Sequence, residues 1–135
     1  MKPVVVDASA IVEYLLKTPR APRVAELIEA SDVWLSAPPL CDVEIAAALR
    51  RAILARRLQV DRALEAIMDY QDLPITRPSH LFVLTRMIEL RANFSAYDAT
   101  YVALAEKLDA EMVTADRPLA LAARSHTSLL VHLVD

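Results

Sequence analysis

The chain opens with the stretch MKPVVVDA (residues 1–8), in which three consecutive valines lead directly into a carboxylate. A run of β-branched residues without polar alternation is typical of a strand that is covered on both faces of a sheet. Asp7 then lies at the carboxyl end of this strand. Open parallel sheets bind their ligands beside the carboxyl ends of their central strands. We therefore predict that Asp7 points into the functional site.

The composition limits the class of protein. The chain has 135 residues, a net charge of −3 and one cysteine, and 56% of its residues are hydrophobic. This length suits one domain over residues 1–135. No apolar run approaches the roughly 18 residues of a membrane-spanning helix, so we expect no membrane contact. The lone Cys41, predicted to be buried, and the lack of a signal-peptide pattern favour the cytoplasm. The apolar surplus favours a subunit or partner interface.

Glycine is absent from the sequence. Phosphate-binding loops and dinucleotide fingerprints depend on glycine, so we expect no nucleotide cofactor. Helix ends must also use other residues for left-handed backbone conformations. Asn93, the only asparagine, is the predicted left-handed cap of the helix before it. The net acidic charge indicates that any contact with nucleic acid is local.

Hydrophobic periodicity and capping residues predict strands that alternate with helices. The predicted strands cover residues 4–6, 33–37, 73–76, 111–114 and 128–133. The predicted helices cover residues 10–16, 23–30, 40–57, 61–72, 79–92, 97–108 and 118–124. Pro74 makes its own strand an edge strand, because proline has no N–H to donate. The pattern predicts an α/β domain with a mainly parallel central sheet flanked by helices.

Carboxylates occur where several of these elements begin or end. Asp7 ends the first strand, Asp116 follows the fourth strand by two residues, and Asp98 opens a helix. The third predicted helix offers both Asp42 and Glu44, and periodicity does not choose between them. Because the carboxyl ends of parallel strands meet at one edge of a sheet, we expect these acids to converge.

Each acid also has a purely structural interpretation. Asp7 and Asp116 suit helix N-caps, the helix dipole favours Asp98, and Glu44 has a possible ion-pair partner in Arg51. Converging carboxylates, however, repel one another unless a hard cation neutralises them. Such clusters serve phosphoryl transfer, in which Mg²⁺ or Mn²⁺ activates the attacking water and stabilises charge on the phosphate.

Four motifs carry a family resemblance. They are DASA (residues 7–10), Glu44 followed by IAAALRR (residues 45–51), YDATYVALA (residues 97–105) and VTADR (residues 113–117). In this order, and over essentially the whole chain, the sequence resembles PIN-domain ribonucleases of the VapC toxin type. The resemblance implies a PIN-like fold, in which helices cover both faces of the sheet in three α/β/α layers.

The resemblance also implies a function. It makes four acids the catalytic and metal-binding set: Asp7, Glu44, Asp98 and Asp116. It ranks Glu44 above Asp42, and it puts the hydroxyls of Ser9 and Thr114 beside the set. The implied activity is that of a Mg²⁺- or Mn²⁺-dependent endoribonuclease, a hydrolase that cuts RNA phosphodiester bonds.

The partners implied by the resemblance are an RNA substrate, a cognate VapB-type antitoxin and a second copy of the chain in a homodimer. We expect an apolar antitoxin helix to lie around Ile11, Leu15, Leu16 and the helix of residues 40–57. A cationic side chain of the antitoxin would then reach the acidic set.

Arginine is the main source of local positive charge, because all but three of the 15 basic residues are arginine. Arg117, next to Asp116, is the predicted substrate contact, since a guanidinium suits bidentate phosphate binding. A further cluster, at one helix end, suits either phosphate binding or a favourable dipole interaction. It comprises Arg50, Arg51, Arg56 and Arg57.

Two other functions remain open from the sequence. A metal-dependent phosphatase acting on small phosphomonoesters would use the same acids. A non-catalytic binding module on this fold predicts the loss of an acidic position, and none of the four is missing. A receiver-like phosphoacceptor is disfavoured. It needs a lysine after a late strand, and none of Lys2, Lys17 and Lys107 is placed there.

Overall fold

The computed structural model describes residues 1–135, and its sheet has four parallel strands in the order β2-β1-β3-β4. The strands are β1 (Lys2–Val6), β2 (Val33–Ser36), β3 (Glu111–Thr114) and β4 (Val131–Leu133). Val5 of β1 pairs with Ser36 on one side and with Met112 on the other. Val4, Val5 and Val6 are all buried. The prediction of a central strand covered on both faces is therefore confirmed.

Seven α-helices connect these strands. They are α1 (Ala8–Leu15), α2 (Ala21–Ile28), α3 (Leu40–Leu54), α4 (Val60–Asp72), α5 (Leu84–Glu89), α6 (Ala96–Leu108) and α7 (Arg117–His126). A 3₁₀ turn over His80–Val83 precedes α5. Helix α6 is the most enclosed, because all seven residues from 99 to 105 are buried. The predicted α/β class with a parallel sheet is confirmed.

The order of the strands fixes where a ligand can bind. From β1 the chain crosses to β2 on one side, and from β3 it crosses to β4 on the other. Because parallel crossovers are right-handed, the helices of these two connections cover opposite faces of the sheet. The crossovers diverge between β1 and β3, and the crevice at the carboxyl ends of these two strands is the favoured ligand site.

The structure replaces the predicted strand over residues 73–76 with a single bridge. Thr76 pairs with Ser36 at the edge of the sheet. The backbone N–H of Thr76 donates to Leu35, and the carbonyl of Thr76 accepts from Ala37. Pro74 has no N–H with which to extend this pairing, so no regular strand forms.

The prediction that Asn93 is a left-handed cap is wrong. Helix α5 ends at Glu89, and its cap Leu90 has a φ of −84°. The residues with positive φ are Lys17, Arg56 and Asp109, with φ values of 55°, 59° and 51°. At the end of α6, for example, the N–H of Asp109 donates to the carbonyls of Ala105 and Glu106. These three residues take the conformations that glycine usually supplies.

The structure also bears on the burial of Cys41, the length of the last strand and the character of the helices. Cys41 is fully buried, as predicted. The last strand is shorter than predicted, since only Val131–Leu133 pair with β3. None of the helices has both the length and the apolar character that crossing a membrane requires.

Candidate active site

A pocket of about 380 Å³ lies at the carboxyl ends of β1 and β3. Five carboxylate side chains line it: Asp7, Glu13, Glu44, Asp98 and Asp116. The structure thus brings together all four acids that the sequence singled out, although they come from different parts of the chain. The strand order puts the ends of β1 and β3, and with them Asp7 and Asp116, side by side. Glu44 and Asp98 join them from helices, because α3 packs on α1 and α6 packs on β1 and β3.

Asp7 is the most buried of these acids, with 5% of its surface exposed. Its Oδ1 accepts hydrogen bonds from the Ser9 hydroxyl at 2.7 Å and from the Ala10 N–H at 3.2 Å. Its Oδ2 accepts a bond of 2.7 Å from the Thr114 hydroxyl. Asp7 therefore caps α1 and lines the pocket at the same time, so the structural interpretation does not exclude a functional one.

The two hydroxyls beside Asp7 connect it to the loop after β3. The Ser9 oxygen accepts from the Ala115 N–H at 2.9 Å, and the Thr114 oxygen accepts from the Asp116 N–H at 3.0 Å. Since each hydroxyl has one proton and donates it to Asp7, both carboxylate oxygens are held in a fixed orientation. Ser9 and Thr114 therefore lie beside the acids, at the positions that the family resemblance implies.

Burial and mutual repulsion raise the pKa values of two of the acids. Burial raises the pKa of Asp7 from 3.8 to about 6, against the hydrogen bonds from Ser9 and Thr114, and the charge of Asp116 adds to the rise. The pKa of Asp98 is raised by burial and by the charges of Asp116 and Glu44. Negative charge in this pocket is thus incompletely compensated by the protein itself.

Side-chain contacts distinguish Glu44 from Asp42. The buried phenol of Tyr101 donates a hydrogen bond of 2.5 Å to Glu44 Oε1. Asp42 does not line the pocket; its Oδ1 accepts from the Tyr70 hydroxyl at 2.5 Å and from Arg77 Nε at 2.9 Å. The geometry therefore assigns Glu44, and not Asp42, to the pocket.

Asp98 and Asp116 stand at the starts of helices, as the sequence predicts. The cap of α6 is Ser95, whose hydroxyl accepts from the Asp98 N–H at 3.1 Å, so capping does not engage the Asp98 carboxylate. Asp116 caps α7 by accepting from the Leu119 N–H at 3.1 Å. Asp116 thus resembles Asp7, since both combine a capping role with a position in the pocket.

The arginine predicted to contact substrate is engaged elsewhere. Arg117 pairs with Asp135 at 2.7 Å and does not line the pocket. Arg51 lines the pocket instead; it belongs to the arginine cluster for which the sequence left phosphate binding and a dipole interaction both open. Glu13 and Tyr101 also line the pocket, and the sequence placed neither of them at the site. Helical spacing could have located Glu13 and Arg51. Glu13 follows Ser9 by four residues and Arg51 follows Glu44 by seven, so each shares a helix face with a predicted site residue.

The donors in this pocket suit a particular class of cation. Carboxylate and hydroxyl oxygens are hard ligands, of the kind that Mg²⁺ and Mn²⁺ prefer. No group of three or more His, Cys, Asp or Glu side chains is arranged to hold a metal ion in the structure. The residues therefore fit a divalent cation by the chemistry of their oxygens and their surplus negative charge, without a preformed cage.

Comparison with known proteins identifies the family. The sequence matches the family model of the PIN domain over residues 4–125. The chain belongs to the PIN domain family. All five acids that line the pocket lie within the matched residues.

This PIN domain is also similar in sequence to two named ribonucleases and in fold to one solved structure. It is 43% identical to Ribonuclease VapC9 of Mycobacterium tuberculosis over 113 residues, which are 84% of this chain and 85% of the relative. It is 34% identical to Ribonuclease VapC12 of Mycobacterium tuberculosis over 117 residues, which are 87% of this chain and 89% of that relative. Its fold is similar to that of VapBC2 from Rickettsia felis, solved bound to a DNA fragment from its promoter. That likeness has a TM-score of 0.71 at 12% identity and covers 98% of this chain and 99% of the other.

Proposed function

We propose that this PIN domain is a Mg²⁺- or Mn²⁺-dependent endoribonuclease, the toxin of a type II toxin-antitoxin system. The observation that carries the proposal is the convergence of Asp7, Glu44, Asp98 and Asp116 in one pocket. The relatives named as ribonucleases support the choice of RNA as substrate. In this proposal residues 1–135 form one PIN domain, which acts in the cytoplasm as a homodimer.

The four acids are the proposed ligands of the cation. When bound, a divalent cation of this kind lowers the pKa of a coordinated water and polarises a phosphate oxygen. The other residues fix the acids in place: Ser9 and Thr114 hold both oxygens of Asp7, and Tyr101 holds one oxygen of Glu44. Burial raises the pKa of Tyr101 far above its ordinary value, so its phenol keeps the proton that it donates to Glu44.

The pocket favours cleavage of a long phosphodiester over hydrolysis of a small phosphomonoester. Its lining contains five acids and one arginine, so apart from a bound cation it offers a single positive group to a phosphomonoester dianion. An RNA backbone carries one charge on each phosphate and can also contact the protein outside the pocket. We therefore rank the phosphatase alternative below the ribonuclease.

The direct test of the proposed function is cleavage of RNA. We expect the purified protein to cut total bacterial RNA at discrete internal sites when Mg²⁺ or Mn²⁺ is present, and to leave it intact in excess EDTA. Sequencing of the new 5′ ends would locate the cuts. A small chromogenic phosphomonoester, tested in parallel, is expected to remain intact. Intact RNA with hydrolysed phosphomonoester would favour the phosphatase, and no reaction with either substrate would favour the binding module.

We also propose an antitoxin partner, and a second pocket is its proposed binding site. A groove of about 550 Å³ lies between α1, α2 and α4 and is lined by Leu15, Ala25 and Asp72, among others. It shares α1 with the groove expected from the sequence, but α4 replaces α3 as its second wall. Leu15 lines this groove although it is almost completely buried, and Ile11, which is fully buried, does not line it.

Placing a charge in this groove is expected to weaken antitoxin binding. Ala25→Glu should raise the Kd for the cognate VapB-type antitoxin about tenfold or more, because an apolar helix would bury the new carboxylate without a partner. Ala122→Glu on α7, similarly half-buried but outside the groove, is the matched control. Calorimetric titration measures both. Equal Kd values for the two variants would place the antitoxin elsewhere.

A further inference from the structure

We propose that Arg51 is a phosphate-binding residue of the pocket, which holds a backbone phosphate of the RNA beside the acidic side chains. This inference rests on the proposed ribonuclease function and assigns one step of it, the binding of the substrate, to a residue of α3. It replaces Arg117, which pairs with Asp135 outside the pocket lining.

The position of Arg51 is the first observation. Among the residues that line the pocket it is the only one with a cationic side chain. Helix α3 contributes Glu44, Ala48 and Arg51 to this lining, at the spacing of one helix face. Ala48 lies between the two charged residues and carries no side chain that would block a ligand from contacting both. Arg51 therefore lies on the same face of α3 as Glu44, farther along the helix, and both line the pocket.

The second observation is that the Arg51 guanidinium forms no ion pair, although five acids line the same pocket. Ion pairs engage six other arginines: Arg20, Arg23, Arg62, Arg77, Arg86 and Arg117. Glu44, one helical repeat away on the same face, accepts a hydrogen bond from Tyr101 instead. The donors of Arg51 thus remain available to a ligand.

Electrostatics explains why the site needs this residue. A phosphodiester that approaches five carboxylates is repelled, and a divalent cation neutralises only part of that charge. A guanidinium at the rim attracts the phosphate and, through its planar fork, can hold two of its oxygens at once. A lysine offers a point charge without the fork, so it can replace only part of this function.

The competing explanation is that Arg51 only interacts with the helix dipole, since it lies in the last turn of α3. Arg50 is the matched control, because it is an exposed arginine next to Arg51 that does not line the pocket. Exchanging either residue for glutamine removes one positive charge from nearly the same place. Any difference between the two variants then reports on the pocket and not on net charge.

The test compares Arg51→Gln, Arg51→Lys and Arg50→Gln. For the RNA that the wild type cuts, we expect Arg51→Gln to raise KM about tenfold or more and to change kcat less than about threefold, as loss of a binding contact does. Arg51→Lys should recover part of the loss, and Arg50→Gln should stay within about twofold of the wild type in both constants. Equal KM values for Arg51→Gln and Arg50→Gln would overturn the proposal.

A binding measurement separates this inference from the proposed function. Fluorescence anisotropy with a short fluorescein-labelled single-stranded RNA in EDTA gives the affinity at several salt concentrations without cleavage. Loss of one phosphate contact should reduce the slope of log K against log salt by about 0.7 in Arg51→Gln but not in Arg50→Gln. An unchanged slope in Arg51→Gln would refute the contact even if the wild type is an active ribonuclease. A reduced slope without any cleavage would refute the proposed activity instead.

Discussion

Replacing Asp7 with asparagine is expected to abolish RNA cleavage and, at the same time, to raise the melting temperature of the metal-free protein at neutral pH. Cleavage should fall about hundredfold or more, beyond what loss of a residue supporting a metal ligand usually costs. Stability should rise because the side chain of Asp7 is 5% exposed and its negative charge has no cationic partner. Asparagine keeps the shape of the side chain and removes the charge. Its amide nitrogen donates where one oxygen of Asp7 accepts, so the hydroxyl on that side must turn its proton toward the other hydroxyl, whose oxygen lies 3.3 Å away.

The gain in stability should depend on pH in a defined direction. The folded protein raises the pKa of Asp7 from 3.8 to about 6, so it binds the proton more tightly than the unfolded chain does. This contribution to stability is fully present below the unfolded pKa and is lost as the pH rises through the folded pKa. The advantage of Asp7→Asn should therefore be near zero around pH 4 and reach roughly 1 to 3 kcal/mol at pH 7, since one pKa unit corresponds to about 1.4 kcal/mol.

Thermal melts followed by circular dichroism in EDTA, at several pH values, would measure this gain beside a cleavage assay with Mn²⁺. Asp32→Asn, at an exposed aspartate outside the pocket lining, is the control for removing one negative charge. Wild-type cleavage by Asp7→Asn would contradict the assignment of Asp7 to the catalytic set. A stability gain that is as large at pH 4 as at pH 7 would contradict its electrostatic origin.

The second large effect is expected from metal binding itself. A cation that binds only the folded protein stabilises it by about 2.7 kcal/mol when its concentration is a hundred times Kd. For a domain of this size each kcal/mol raises the melting temperature by roughly 3 to 5 °C, so Mn²⁺ should raise that of the wild type by about 10 °C. Glu44→Gln should lose most of this shift, because it removes one charged ligand from the proposed set.

Asp42→Asn provides the matched control, since it removes a carboxylate from the same helix two residues away. Asp42 is bonded to Tyr70 and Arg77 and does not line the pocket. Asp42→Asn should therefore lower the melting temperature without metal and yet keep the full shift on adding Mn²⁺. Differential scanning fluorimetry over a range of Mn²⁺ concentrations would measure both effects. If Asp42→Asn loses the shift and Glu44→Gln keeps it, the metal site has been assigned to the wrong acid.

The features that could be predicted from the sequence are those that local pattern specifies. The valine run before Asp7 specifies a buried central strand, and Asp98 and Asp116 follow from the starts of their helices. The parallel sheet then brings Asp7 and Asp116 to one edge, whereas the family resemblance was needed to choose Glu44. For this reason the fold and the location of the acidic pocket were both within reach of sequence reasoning.

The features that were missed depend on contacts between distant residues. Asp42 is taken out of the pocket by Tyr70 and Arg77, which are 28 and 35 residues away in the chain. Arg117 is engaged by Asp135, 18 residues away. Helical periodicity gives no information on such partners, so the residues alone could neither separate Asp42 from Glu44 nor show that Arg51 lines the pocket in place of Arg117.

The three left-handed residues have a consequence for the unfolded chain. Lys17, Arg56 and Asp109 turn the backbone after α1, α3 and α6 with positive φ, a conformation that costs a residue with a Cβ atom about 1 to 2 kcal/mol. A chain without glycine also samples fewer backbone conformations when it is unfolded, and at a position that needs no left-handed conformation this restriction stabilises the folded state by about 0.4 to 1 kcal/mol relative to glycine. The strain is confined to three helix ends, whereas the restriction acts along the whole disordered chain. Folding therefore begins from an ensemble that is already narrower than that of an average sequence of this length.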